Sequence, residues 1–335
     1  MSGFIHYLNK AREGTVFTTE EMADCIGILM QGGASDDQAA EFLTALHTRG
    51  ETAEEIAGAA KALRLRASTI DAPKGAIDCC GTGGDGLATF NISTAVALVA
   101  AACGVPVAKH GNRSASSKSG AADVLEKLGV DLMLSRETQE QALKSIRFCF
   151  LMAPNHHAAM KNVAGVRKKL GTRTIFNLLG PLANPAGTKK QLVGVYSEKW
   201  VVPMANALKS LGCEKALVVH GEDGLDEITL TGRTRAAYLK DGMVTETTFL
   251  PRDFGLPEIS LEKIKGGDAT QNAVALMNIL QGAHNDYRNI VLANAAAVLT
   301  LHDDRPLRDG VQAAAEALDT GKALNVLNQY RELRA

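Results

Sequence analysis

The sequence predicts an α/β protein: a small all-helical N-terminal domain, then a larger α/β domain whose central, mostly parallel sheet is flanked by helices. Three observations predict it. The first 68 or so residues carry helical signals only. From Pro73 short apolar runs alternate with glycine loops and helical stretches, and from about Ala269 the chain is Ala- and Leu-rich helix. Strands that alternate with helices pair in parallel through crossovers. With 335 residues the chain can build one large domain and a smaller one beside it.

Thr18 with Glu21, Ser35 with Gln38 and Thr52 with Glu55 each match the capping box, in which two side chains satisfy two unpaired amides of a helix start. Apolar residues then recur at helical spacing: Ile26, Leu29 and Met30, then Phe42, Leu43 and Leu46, then Ile56, Ala60 and Leu63. Gly32, Gly33 and Gly50 punctuate these segments. Nothing here carries obvious chemistry, so the region is expected to serve packing, hinge or dimer contacts.

Residues 76–80 read as a short apolar strand ending in a glycine loop. Asn91 or Ser93 is expected to cap the next helix, which Gly104 ends. Residues 105–108 form a strand that delivers Lys109. Ser116 or Ser117 then opens a helix with Ala122, Leu125 and Leu128 inward, stopped at Gly129. Residues 172–187 are apolar but broken by Gly180, Pro181, Asn184 and Pro185, and read as a connection. Further strands are expected at 191–196, 216–220, 227–231 and 236–239.

Composition excludes several classes. Lys plus Arg number 36 against 37 for Asp plus Glu, a formal charge of −1, which leaves no basic excess for general nucleic-acid binding. No apolar run reaches the ~18–20 residues that cross a bilayer, and the N-terminal residues lack a signal-peptide pattern. The six cysteines include no CxxC pair and form no disulfide framework, as expected of buried thiols in a reducing cytoplasm.

The chemistry concentrates in two loops. Residues 109–117, KHGNRSASS, pack a cation, an imidazole, an amide, a guanidinium and three hydroxyls against one glycine, directly before a helix. Residues 81–94, GTGGDGLATFNIST, hold Thr89, Asn91, Ser93 and Thr94 at another helix start. Helix N-termini bind anions because their first N–H groups are unpaired and the dipole is positive there. Both loops fall at the carboxyl ends of strands, where open parallel sheets bind ligands. Two such loops point to one substrate with two separate phosphate groups, a pyrophosphate with its metal in one place and a monophosphate in the other. GTGGDG also matches the dinucleotide fingerprint GxGxxG, but three features oppose that reading. Asp85 would face a pyrophosphate, the helix starts late, and no acidic residue follows about 20 residues on.

Magnesium uses one or two carboxylates together with phosphate oxygens, and GEDGLDEIT offers Asp223, Asp226 and Glu227. His156 and His157 lack the HExxH spacing of a zinc site and are read as pocket lining. Arg167 stands among Lys168, Lys169 and Arg173. A solvated basic face is the plain reading, and a fork for a carboxylate is the functional one.

At DCCGTGGDGLATFNIST, KHGNRSASSKSGAADVLEKLG, FLMAPNHHAAMKNVAGVRKKLGTRTIFNLLGPLANP and HGEDGLDEIT, in that order, the chain closely resembles the anthranilate phosphoribosyltransferases. The resemblance runs from the N-terminal helices to the C-terminal ones. It implies transfer of the phosphoribosyl group of 5-phosphoribosyl 1-diphosphate (PRPP) to anthranilate, the second step of tryptophan biosynthesis from chorismate, in a cytoplasmic enzyme. It implies Mg²⁺, two per active site, and a homodimer paired through the helical domains, with neither nucleic acid nor membrane as partner. The implied domains are 1–72, with a contribution from about 166–188, and 73–335.

The resemblance assigns PRPP contacts to Gly81, Gly84, Asp85, Thr89, Asn91, Ile92, Ser93, Thr94, Lys109, His110, Gly111, Asn112, Arg113, Ser114, Ala115, Ser116, Ser117 and Ala121. Ser93, Asp226 and Glu227 match metal ligands. Gly81, Asn112 and Arg167 match anthranilate contacts, with His110, His157, Gly180 and Pro181 along the aromatic substrate's path. No catalytic base is implied. Gly165 departs from the family, where proline is usual, and is expected to loosen the loop that holds Arg167. Two other readings compete: a pyrimidine-nucleoside phosphorylase, which shares a KHG loop but carries a further C-terminal domain, and a non-catalytic nucleic-acid-binding relative, which needs a basic surface.

Overall fold

The computed structural model describes residues 2–114 and 118–334. Four helices come first: α1 (Ser2–Arg12), α2 (Thr19–Met30), α3 (Asp36–Arg49) and α4 (Ala53–Arg64). All three capping boxes form. The Thr18, Ser35 and Thr52 hydroxyls accept from the amides of Glu21, Gln38 and Glu55, whose side chains accept from the capping residues in return. Glu55 does more than cap. Its buried carboxylate also accepts from the Phe17 amide at 3.0 Å and pairs with Arg49 at 2.5 Å, closing the bundle around Phe4, Phe17 and Phe42.

Next come β1 (Ile77–Gly81), α5 (Ile92–Ala102), β2 (Val107–Gly111), α6 (Ala121–Lys127), α7 (Arg136–Ser145), β3 (Phe148–Met152) and α8 (Ala153–His156). After these, α9 (Lys161–Leu170) and α10 (Phe176–Leu179) return to the bundle. There Asn162 donates to the Met30 carbonyl at 2.6 Å, and Val163, Val166 and Phe176 share the core of the first four helices. The chain continues through β4 (Lys190–Gly194), α11 (Val201–Ser210), β5 (Lys215–Gly221), β6 (Thr234–Lys240), β7 (Met243–Phe249) and α12 (Pro251–Phe254). It closes with α13 (Ala269–Leu280), α14 (Asp286–Asp303), α15 (Leu307–Asp319) and α16 (Lys322–Arg331).

The seven strands make one sheet in the order β3-β2-β1-β4-β5-β6-β7. The first four pairings are parallel and the last two antiparallel, so the sheet is mostly parallel with a hairpin at one end. Side chains alternate between its faces. Leu217 and Val219 of β5 join α5 and the C-terminal helices in one core, while Ala216 and Val218 join α11 and the helical bundle in the other. Burial on both faces is what a parallel sheet requires. No described helix is long and apolar enough to cross a membrane.

Three sequence expectations need correction. The helix expected from Ser116 or Ser117 begins at Ala121, where Gly120 is the cap and its amide donates to Asp123 at 2.9 Å. Asn91 occupies the cap position of α5 but makes no side-chain cap bond, because its amide is engaged elsewhere. Residues 227–231 are not a strand. The Ile228 amide and carbonyl pair with the Asn294 side chain of α14 at 2.9 Å each, and the Thr229 amide donates to Thr234 Oγ1, so side chains replace a ladder. Sequence reading also passed over β3 and β7.

Candidate active site

Strand β1 lies mid-sheet, with β2 on one side and β4 on the other. Strand order therefore reverses at β1, running to β2 and β3 on one side and later to β4 and β5 on the other, and the crevice outside its carboxyl end is where open sheets bind ligands. The loop 82–91 and the start of α5 fill one rim. Gly83, Gly84 and Gly86 all take positive φ, which lets the loop turn tightly.

The turn after β5 inserts Asp226 into this crevice. Asp226 Oδ2 accepts from the Gly83 amide at 2.8 Å. A Cβ at Gly81 would sit 2.3 Å from Asp226 Oδ2, and one at Gly194 would sit 1.4 Å from the Asp226 carbonyl oxygen. Glycine at the ends of β1 and β4 is thus a steric condition for this carboxylate to enter. Asp223 is bound into its own turn instead, accepting from Thr229 and Thr231 hydroxyls at 2.7 Å each and from the Leu225 amide. It drops out as a metal ligand.

Burial, with repulsion from Asp85 next, pushes Asp226 up to about 7. Burial followed by repulsion from Asp226 pushes Glu227 up to about 8, with Lys109 and the Ser93 amide pulling the other way. Such a pair lacks cationic charge. Among the described residues no three His, Cys, Asp or Glu side chains group closely enough to hold a metal by themselves. One or two carboxylates beside a helix start with unpaired amides instead fit Mg²⁺, which takes most of its remaining oxygens from phosphate and water.

Lys109, although in the second motif, serves the first loop. It is 1% exposed, and its ammonium donates to the Cys79 carbonyl at 2.8 Å and to Ser93 Oγ at 3.0 Å. Thr94 and Ile92 are buried in α5 behind them, the Thr94 hydroxyl without a hydrogen-bond partner among the described residues. Thr89 pairs through its backbone with Lys265.

The second loop is built differently from its sequence reading. Arg113 pairs with Asp123 at 3.0 Å and Glu126 at 2.8 Å, both on α6, so its guanidinium is engaged away from the crevice. The Ser114 amide donates to Asp123, and Asn112 Oδ1 accepts from the Arg113 amide at 2.7 Å. Gly111 and Ala121 meet where β2 approaches α6. Ala115, Ser116 and Ser117 lie outside the described residues.

The residues expected along the aromatic substrate's path are held by different elements. His110 Nδ1 faces the Gly180 carbonyl at 3.0 Å, its ring meets His157 edge-on at 5.2 Å, and the Pro181 carbonyl accepts from Gln191 at 2.7 Å. Burial, then His157, holds His110 down at about 3, and burial with His156 holds His157 at about 4. Both rings are neutral. His156 Nδ1 is tied to the Ser68 carbonyl at 2.7 Å.

Arg167 is carried by α9. Its guanidinium lies over the Phe176 ring at 5.5 Å, and burial lowers its pKa. Among the described residues no carboxylate pairs with it, whereas the neighbouring Lys169 faces Asp37 in solvent. Gly165 sits inside α9, so Arg167 is carried by a helix and not by the expected loop. A Cβ at Gly165 would meet nothing within 4 Å. Gly165→Ala should therefore stabilise the protein by about 0.5–1 kcal/mol, read as a higher melting temperature. A lower one would show that the helix needs the glycine.

Sequence reading missed Arg173 as part of this site. Its guanidinium stacks on Tyr196 at 4.1 Å and donates to the Gly84 carbonyl, tying the segment after α9 to the glycine loop. Its position inside a basic cluster concealed this, since the partner is a backbone carbonyl some ninety residues away.

Family models match both parts of the chain. A glycosyl transferase family helical bundle domain covers residues 5–67, and the a/b domain of a glycosyl transferase family covers 73–324. An anthranilate phosphoribosyltransferase of Azospirillum brasilense is 53% identical over 96% of this chain and 90% of its own. Among solved structures, the anthranilate phosphoribosyltransferase of Thermus thermophilus superposes with TM-score 0.92 at 43% identity, covering 97% of this chain and 98% of that one. The Saccharomyces cerevisiae enzyme in complex with PRPP and Mg gives TM-score 0.90 at 30% identity, covering 99% and 97%.

Proposed function

The chain belongs to the anthranilate phosphoribosyltransferases, and from that premise we propose how it works. It is a glycosyltransferase that moves the phosphoribosyl group of PRPP onto the amine of anthranilate, giving N-(5-phosphoribosyl)anthranilate and diphosphate in tryptophan biosynthesis. The observation that carries the reading is the carboxylate pair Asp226–Glu227, lodged beside an anion-binding helix start and short of positive charge. Loss of anthranilate fluorescence only when PRPP and Mg²⁺ are both present tests it. Consumption without either one would overturn it.

In this reading the amides of the 81–94 loop and of the α5 start, with Ser93 and Lys109, bind the diphosphate and ribose. Asn112, Gly111, Ser114 and Ala121 serve the 5-phosphate end, Arg113 acting there through its backbone because α6 holds its guanidinium, and the expected contacts of Ala115, Ser116 and Ser117 lie outside the described residues. Ser93, Asp226 and Glu227 hold Mg²⁺, two ions per site. When bound, the metal neutralises charge on the diphosphate and favours its departure. Arg167 takes the anthranilate carboxylate, with Gly81 and Asn112 beside it and His110, His157, Gly180 and Pro181 as walls.

Displacement at the anomeric carbon has oxocarbenium character, by analogy with glycoside chemistry. The protein's main burden is to stabilise a departing polyanion, which preorganised amides and Lys109 do without reorganising. The arylamine is neutral at pH 7, and a His110 held near 3 is too weak a base to matter. No catalytic base is assigned. Positioning of two substrates supplies much of the remaining acceleration.

We further read residues 1–72, with about 166–188, as the helical domain, and its outer surface as the homodimer contact of a cytoplasmic enzyme. Sedimentation of the purified protein at twice the chain mass is the expected result.

A further inference from the structure

We propose that Asn272 is a positioning residue that decides which end of the Asn91 amide faces PRPP. The inference rests on the reading above that Asn91 contacts this substrate. Asn272 lies on the first turn of α13, about 180 residues beyond the loop it serves, and is 1% exposed.

The chain of contacts starts at a main-chain amide. Gly267 N–H donates to Asn272 Oδ1 at 2.8 Å. A peptide N–H can only donate, so the Asn272 side chain has one permitted orientation. Its Nδ2 must point the other way, and it donates to Asn91 Oδ1 at 2.8 Å. The Ser119 hydroxyl donates to the same oxygen at 3.4 Å. With its oxygen taken, Asn91 turns Nδ2 toward the second loop, where one N–H reaches the Ser119 carbonyl at 3.4 Å. Among the described residues no second acceptor meets this amide, which leaves its other N–H to a ligand oxygen. Tyr287 holds the backbone of the same residue, its hydroxyl donating to the Asn91 carbonyl at 3.2 Å.

The origin of this relay is rigid. Residues 264–267 clamp the loop by main-chain bonds, Gly266 N to Ala88 O at 2.8 Å and Phe90 N to Ile264 O at 3.0 Å. A Cβ at Gly266 would stand 2.6 Å from the Thr89 carbonyl oxygen and 2.7 Å from Asn272 Oδ1, so glycine is needed for the approach. Without Asn272 the Asn91 amide would be free to present its oxygen to a phosphate, and two acceptors repel. The direction of one peptide group is thus handed through two side-chain amides to the ligand.

Steady-state kinetics at saturating Mg²⁺ on Asn272→Ala, Asn272→Asp, Asn91→Ala and the double variant Asn91→Ala/Asn272→Asp test this. Asn91→Ala should raise the PRPP KM about 10-fold, the loss of one charge-assisted hydrogen bond. Asn272→Asp puts an acceptor against Asn91 Oδ1 and should match or exceed that rise. Asn272→Ala, which only frees the amide, should raise it less, and the anthranilate KM should stay within about 2-fold throughout. Because Asn272 acts through Asn91, the double variant should be no worse than Asn272→Asp alone. Losses that multiply would overturn the proposal, since they mean a direct effect of the new charge. So would Asn272→Ala being the worse substitution, the order expected of a packing role. If Asn272→Asp does not fold, Asn272→Ala combined with Asn91→Ala gives the same additivity test. An unchanged PRPP KM in Asn91→Ala would instead remove the underlying reading of Asn91.

Discussion

Asp226→Asn combined with Glu227→Gln is expected to cut kcat/KM at millimolar Mg²⁺ by at least about 10²-fold, each lost charged contact being worth roughly 1.5–3 kcal/mol. Raising the metal concentration should recover part of the loss, and identical magnesium titrations for parent and variant would exclude both residues as ligands. The same substitutions should stabilise the metal-free protein. Both folded-state values, about 7 and about 8, lie above the ordinary carboxylate range. The folded protein therefore holds these protons more tightly than the unfolded chain. That contribution to stability is complete below about pH 4 and is lost as pH rises through 7 to 8. The variant should melt above the parent at pH 8, and the gap should close toward pH 5. Melting curves that run parallel across this range would mean that the two carboxylates carry no buried charge.

Arg167→Ala is expected to raise the anthranilate KM at least about 10-fold, since losing a hydrogen bond between charged groups costs about 1.5–3 kcal/mol. The PRPP KM should move little. Half-buried against Phe176 and, among the described residues, with no carboxylate beside it, this guanidinium has lost part of its hydration without gaining a counter-ion there. A planar carboxylate fits its fork in a two-point contact that an ammonium cannot copy, so Arg167→Lys should recover only part of the affinity. Melting temperature separates the two possible roles. Removing a cation that no described carboxylate pairs should leave stability unchanged or slightly higher, whereas a structural arginine would lower it. An anthranilate KM equal to the parent's would take Arg167 out of the site.

Much of the fold is legible in the order of residues alone. The capping boxes at Thr18, Ser35 and Thr52 are decided within four residues, and all three form. The alternation of strand, glycine loop and helix after Pro73 points to the parallel sheet and puts both donor-rich loops at one edge. Strand β7, MVTETTF, escapes notice because most of its residues are exposed and no apolar alternation marks it. Strand β3 is a short, fully buried apolar run, which periodicity cannot tell from a piece of helix.

What the sequence determined by itself is whatever depends on neighbours along the chain: helix starts, tight turns, the period of apolar residues, and the two loops whose hydrogen-bond donors suit phosphate. Only tertiary structure decided which of three acidic side chains enters the crevice, because that turns on missing Cβ atoms at Gly81 and Gly194 in two other strands. It also turned Lys109 under the first loop, drew Arg113 onto α6, and brought Asn272 to Asn91. Each of these is a directional contact between residues ten to nearly two hundred positions apart. Hydrogen-bond direction and steric exclusion act over a few ångströms in space, and no pattern of adjacent residues records which distant groups will share them.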